Sequence, residues 1–151
     1  MQPSVRLAEP RDLLGILTLY RELRPNDPDL SQTDARIALA RILSDGNLRL
    51  VVCEHGDSLA ATCMLALVPN LASGARPFGV IEHVVTLSRF RRQGLARLVL
   101  QFALDLAWTK NCYKVILLSG APRTEAHRLY ESVGFRGDVE RGFVAKPNPA
   151  V

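Results

Sequence analysis

The residues whose types and spacing carry the most chemistry are Arg91-Arg92-Gln93-Gly94-Leu95-Ala96, set between an apolar strand-like run and a strongly amphipathic helix. A glycine at a strand-to-helix junction lets the backbone come close to a ligand. The N–H groups of the first helical turn have no partner within the helix, and the helix dipole favours negative charge. Such a junction suits a diphosphate. Ala96, nearly as small as glycine, keeps a second close-approach position open, and Arg89, Arg91, Arg92 and Arg97 concentrate positive charge around it. The Gly-x-x-x-x-Gly-Lys of a P-loop and the three glycines of a dinucleotide fingerprint are both missing, which disfavours those two kinds of phosphate binder.

The elements that must hold this junction follow from the hydrophobic pattern. Val5-Arg6-Leu7 reads as a short strand, and Pro10 with Asp12 opens a helix carrying Leu13, Leu14, Ile16, Leu17, Tyr20 and Leu23 that stops by Pro25. Ser31-x-x-Asp34 resembles a capping box before a second helix bearing Ile37, Ala38, Ile42 and Leu43. Residues 48–53 and 59–68 read as antiparallel strands joined by the hairpin turn Glu54-His55-Gly56-Asp57. Residues 69–77 read as a surface loop and 78–87 as the next strand. From Gly94, the residues Leu95, Leu98, Val99, Phe102, Ala103 and Leu106 recur at helical spacing as far as Asn111. A buried strand over 113–118, a short helix over 124–133 closed by Gly134, and a last strand around Gly142-Phe143-Val144-Ala145-Lys146 complete the series. No repeat or linker interrupts it, which predicts one compact α/β domain over 1–151.

At 151 residues, 48% of them hydrophobic, the chain can bury one core. No apolar run approaches the ~18 residues that cross a bilayer, and the first residues lack the layout of a signal peptide, so a cytoplasmic protein without a membrane partner is expected. Cys53, Cys63 and Cys112 are odd in number and widely spaced, so they read as packing thiols, and no metal is expected. The net charge of +4 suits a polyanionic ligand. Nothing resembles a recognition helix, an RNA-binding strand motif or a base-stacking platform, so nucleic acid is not expected as a partner.

Taken together, these segments resemble the GNAT acetyltransferase superfamily. Arg91-x-x-Gly94-x-Ala96 matches that superfamily's Arg/Gln-x-x-Gly-x-Gly/Ala signature for coenzyme A. The likeness continues through Val80-Ile81-Glu82-His83-Val84-Val85-Thr86, Cys112-Tyr113-Lys114-Val115-Ile116-Leu117-Leu118 and Glu125-Ala126-His127-Arg128-Leu129-Tyr130-Glu131-Ser132-Val133-Gly134-Phe135. The resemblance implies an α/β (α+β) fold: a mixed, mainly antiparallel twisted sheet of six or seven strands, flanked by four helices, with the fourth and fifth strands splayed apart. Acetyl-CoA would lie in the gap. Val84, Val85 and Thr86 would pair with its pantetheine arm as an added strand does. The backbone N–H groups of Arg91, Arg92, Gln93, Gly94, Leu95, Ala96 and Arg97 would hold the diphosphate.

The reaction implied is acetylation of a primary amine by direct attack in a ternary complex. An alkylamine with a pKa near 10.4 is mostly protonated at pH 7, so delivering its neutral form costs about 4–5 kcal/mol. Glu82 is the carboxylate candidate for removing that proton, directly or through a water. Water or a backbone carbonyl is the alternative base, which would leave Glu82 a surface or ion-paired residue. Alternation along a strand puts Glu82 and His83 on opposite faces unless a bulge intervenes. The N–H of Val84 or Val85 is the expected donor to the oxyanion. Tyr130, where the superfamily often has a tyrosine, is the expected acid for the departing thiolate, a core aromatic being its alternative role. One departure stands out: many members carry an asparagine shortly before that tyrosine, whereas this chain reads Ala121-Pro122-Arg123-Thr124, leaving Arg123 as the candidate phosphate contact. The wording around Tyr130 and over 143–146 looks like a branch that acetylates small amines such as aminoalkylphosphonates or aminoglycosides. A small-molecule amine acceptor is therefore expected. Protein lysines or N-termini, and a coenzyme A-binding sensor without turnover, are the alternatives, and self-association as a homodimer stays open.

Overall fold

Five strands pair in the order β1-β2-β3-β4-β5: β1 Ser4–Leu7, β2 Leu48–His55, β3 Ser58–Val68, β4 Phe78–Thr86 and β5 Val115–Leu117. The computed structural model describes residues 2–120 and 123–148, and the chain divides into two compact units, Met1–Leu117 and Leu118–Val151. The sheet belongs to the first. Its first three pairings are antiparallel, and β2 and β3 close as a hairpin at His55 and Ser58 around Gly56, whose φ of +64° is the left-handed conformation such a turn requires. β5 joins β4 in parallel, which demands a crossover, and helix α4, Leu95–Thr109, supplies it.

Helices cover both faces of the sheet. Leu50 and Val52 of β2 pack with Leu13 and Ile16 of α1 (Leu13–Leu23) and with Ala35 and Leu39 of α2 (Gln32–Ser44). Ser31 caps α2 by accepting the Asp34 N–H at 3.1 Å, as the sequence predicts. On the other face Cys63 of β3 places its sulfur 3.5 Å from the Val99 carbonyl of α4, and burial pushes its thiol up to about 12. Its role there is packing. Residues 69–77 are not the plain loop expected: they contain the one-turn element α3, Ala72–Ala75, in which Ser73 and Gly74 take left-handed angles. Among the described residues there are therefore five α-helical elements where the resemblance implied four.

In the second unit, α5 spans Thr124–Ser132 and ends as its sequence predicts. Gly134 sits at φ +104°, its N–H bonds to the Glu131 carbonyl, and the Phe135 N–H bonds to that of Tyr130, both at 3.0 Å. The expected final strand is a correction. Residues 142–146 form no strand, and Phe143 and Val144 are 87% and 69% exposed. Neighbours in sequence point to opposite faces of a strand, so these two apolar residues give no buried face to drive pairing. Among the described residues the strands thus number five, where six or seven were expected.

Candidate functional site

β4 carries half of the site, and an irregularity in its register sets which way its side chains face. Met64 pairs with Glu82 and Thr62 with Val85, so His83 and Val84 together oppose Cys63 alone. This is a β-bulge, with His83 at φ +56°. Thr62 and Met64, two apart on β3, share a face; Glu82 and Val85, three apart on β4, therefore share it as well. Val85 packs there on Leu19 of α1, and the His83 ring lies 5.2 Å from that of Tyr20. The bulge thus brings both Glu82 and His83 to the α1 side, which simple alternation would have prevented. Glu82 is exposed and within electrostatic reach of Arg24, just past the end of α1. Burial pushes the Tyr20 phenol up to about 12.

Pairing between β4 and β5 ends at Ile81 and Leu117. Val84, Val85 and Thr86 continue beyond it, leaving that edge of β4 without a β5 partner. The chain then passes through a 3-10 turn, Ser88–Phe90, to Arg91, Arg92 at φ +62°, Gln93 and Gly94 at φ +78°, and enters α4. Gly94 is the N-cap, and no side chain caps the helix. The first helical bond runs from the Leu98 N–H to the Gly94 carbonyl at 3.2 Å, so the N–H groups of Leu95, Ala96 and Arg97 precede the ladder. A Cβ on Gly94 would meet no atom within 4 Å. The first turn carries no acidic residue, and Arg91, Arg92, Gln93 and Arg97 are exposed while Leu95 anchors the turn in the core.

The arginines differ in their engagements. Arg91 uses its own N–H on the Ser88 carbonyl at 3.3 Å; its Nε reaches the Thr86 carbonyl at 3.4 Å and its Nη2 lies 3.9 Å from the Glu22 carboxylate. Arg89 donates to the Ser58 hydroxyl at 2.9 Å and lies over the Phe90 ring. Glu22, in the last turn of α1, also accepts the Ser88 N–H at 2.9 Å and the Ser88 hydroxyl at 3.3 Å. Neither this tie nor the bulge was anticipated from the sequence as a definite feature. Their partners are remote in sequence, although an acidic residue in the last turn of a helix is a local oddity that signals the first.

Tyr130 and Arg123 belong to the second unit. Tyr130 is buried, at 9% exposure, and meets the Phe135 ring edge-on at 6.2 Å. Arg123 is the N-cap of α5, its carbonyl accepting the His127 N–H at 3.1 Å. Ala121 and Pro122, where the departure from the superfamily pattern begins, lie outside the described residues.

With this geometry in hand, the chain matches the Acetyltransferase (GNAT) family over residues 16–135. It belongs to the GNAT acetyltransferases. This GNAT chain is 30% identical over 134 residues to a glucosamine 6-phosphate N-acetyltransferase of Trypanosoma brucei brucei, covering 88% of each protein. An Arabidopsis thaliana protein of the same name is 31% identical over 107 residues, covering 70% of this chain and 68% of that one. A solved structure from Agrobacterium tumefaciens shares 40% identity at a TM-score of 0.90, covering 95% of this chain and 99% of the other. GNAT acetyltransferases use acetyl-CoA, and the matched span contains the whole of β4, the Arg91-to-Gly94 turn and α4. Among the described residues no helix is long and apolar enough to cross a membrane, and no group of three or more His, Cys, Asp or Glu side chains is placed to hold a metal ion.

Proposed function

We propose that this GNAT protein moves the acetyl group of acetyl-CoA to the primary amine of a small molecule within a ternary complex. The observation that carries this reading is the uncapped N-terminus of α4, bare at Gly94, following directly on a stretch of β4 whose edge lacks a strand partner. The first feature suits a diphosphate and the second an extended amide-bearing arm. The N–H groups of Gln93, Gly94, Leu95, Ala96 and Arg97 would hold the diphosphate, with Arg91, Arg92 and Arg97 supplying charge and Arg123 a further phosphate contact. Val84, Val85 and Thr86 would align the arm.

The acetyl thioester supplies the electrophilic carbonyl; the residues supply the rest. Glu82, on the open α1 side of β4, would take the ammonium proton of the acceptor, and His83, turned to the same side by the bulge, bounds the space beside it. The N–H of Val84 or Val85 would donate to the carbonyl oxygen as it gains charge. Tyr130 would protonate the departing sulfur, since a phenol keeps its proton at neutral pH. The two relatives named for glucosamine 6-phosphate make that aminosugar phosphate the first acceptor to try. The test is incubation of the purified protein with acetyl-CoA and an amine panel headed by glucosamine 6-phosphate, with mass spectrometry of the products and calorimetry of acetyl-CoA binding. Acetylated small amine is the expected product. Binding without turnover on any amine would convert the reading to a coenzyme A sensor, and absence of binding would end it.

A further inference from the structure

Glu22 stands where its own helix disfavours it. The last turn of α1 presents carbonyl oxygens and the negative end of the helix dipole, so a carboxylate there is locally unfavourable. A residue set against local preference points to a partner elsewhere. That partner is the turn Ser88–Phe90, which leads from β4 into the Arg91-to-Gly94 junction. Ser88 is the first residue of that turn, so its N–H has no partner within it. Glu22 meets the need from across the fold. It accepts the Ser88 N–H at 2.9 Å and the Ser88 hydroxyl at 3.3 Å, and it stands 3.9 Å from the Arg91 guanidinium. Beside it Leu19, Val85 and Leu87 form a small buried cluster with Leu23 and Phe90, so the end of α1 lies against both the end of β4 and the turn.

We propose that Glu22 is the positioning residue for the diphosphate junction: it caps the Ser88–Phe90 turn in trans and thereby fixes the stretch of backbone that runs into Gly94. The inference rests on the acetyl-CoA reading above and adds a residue on the opposite, α1 side of the sheet edge. It makes the coenzyme-binding turn depend on a helix that itself packs against β4 beside Glu82 and His83.

Glu22→Ala leaves the Ser88 donor uncapped. The expected result is a KM for acetyl-CoA raised about tenfold, the equivalent of about 1.4 kcal/mol, with kcat and the acceptor KM within about twofold. Glu22→Gln keeps an acceptor oxygen and should rescue most of this. Ser88→Pro removes the same donor by another route; Leu87, at φ −55° and ψ 139°, already has the conformation that a following proline demands. It should reproduce the Glu22→Ala defect, and the double variant should be no worse than either single one. A wild-type KM in Glu22→Ala, or losses that multiply to about a hundredfold in the double variant, overturns the proposal. Amide hydrogen exchange over 88–97 without any ligand separates it from the reading on which it rests. Faster exchange in Glu22→Ala sustains the cap even if wild type binds no acetyl-CoA, and unchanged exchange refutes it.

Discussion

In the proposed transfer, Glu82 and Tyr130 divide the proton chemistry, and each has a variant that isolates its part. Glu82→Gln preserves shape and removes only the ability to take a proton. For an alkylamine acceptor, whose pKa lies about three units above neutrality, loss of a base should lower kcat/KM by about a hundredfold. That loss should shrink as the assay pH rises toward the pKa of the amine, because the neutral nucleophile then arrives without help. A pH–rate series on both proteins reads it, and a loss that stays constant with pH would assign Glu82 to binding instead. Tyr130→Phe keeps the ring that meets Phe135 and deletes the hydroxyl. Its kcat should fall about 10²-fold or more with the KM for acetyl-CoA nearly unchanged. A kcat close to wild type would make the tyrosine a packing residue.

At the scale of elements, the first strand and first helix are locked by a charge cluster. Asp12 is 6% exposed; it receives two Arg6 hydrogen bonds at 2.7 and 2.9 Å and the Glu9 N–H at 2.7 Å, while Arg6 also bonds Glu54 of β2. The Arg6 guanidinium, with help from the Glu9 N–H, holds the Asp12 carboxyl below its ordinary value against the opposing effect of burial. A carboxyl whose pKa is lowered by folding adds stability that is present above its ordinary range and fades as pH falls through the folded-state value. Asp12→Asn should therefore cost about 1–3 kcal/mol near neutrality, and the deficit should narrow as the pH falls below the ordinary carboxylate range. Denaturant titrations at several pH values check it; a deficit independent of pH would show that packing, not charge, is lost. The apolar spacing of α4, the Ser31 cap, the Gly56 hairpin and the Gly94 junction are local signals and are legible. The bulge at His83 is a mismatch between two strands, and the Glu22 tie spans 66 residues, so neither has a decisive local signature. The expected strand over 142–146 failed for the converse reason: its composition is strand-like, but Phe143 and Val144 both stay exposed, so no buried face drives pairing.

For the whole molecule, acetyl-CoA bound as proposed would couple coenzyme to fold. A helix N-terminus without a cap, two left-handed residues before it and exposed arginines around it is a costly surface in the free protein, since like charges and orphan donors face water together. A diphosphate would satisfy those groups only in the folded state. By linkage, acetyl-CoA at about a hundred times its Kd should then add about 2.7 kcal/mol, which for a chain of this length raises Tm by about 5–10 °C. Differential scanning fluorimetry measures this directly. The shift should weaken with added salt, because part of it comes from arginine–phosphate attraction that ions screen. Glu22→Ala should give a smaller shift than wild type at the same coenzyme concentration, since its junction must first be ordered. An acceptor amine alone should give little shift, as it engages none of the α4 donors. A coenzyme-dependent shift that is insensitive to salt would place the binding energy in the pantetheine arm along β4 rather than at the α4 terminus. No shift at all, in a protein that melts cooperatively, would remove the physical basis for acetyl transfer by this chain.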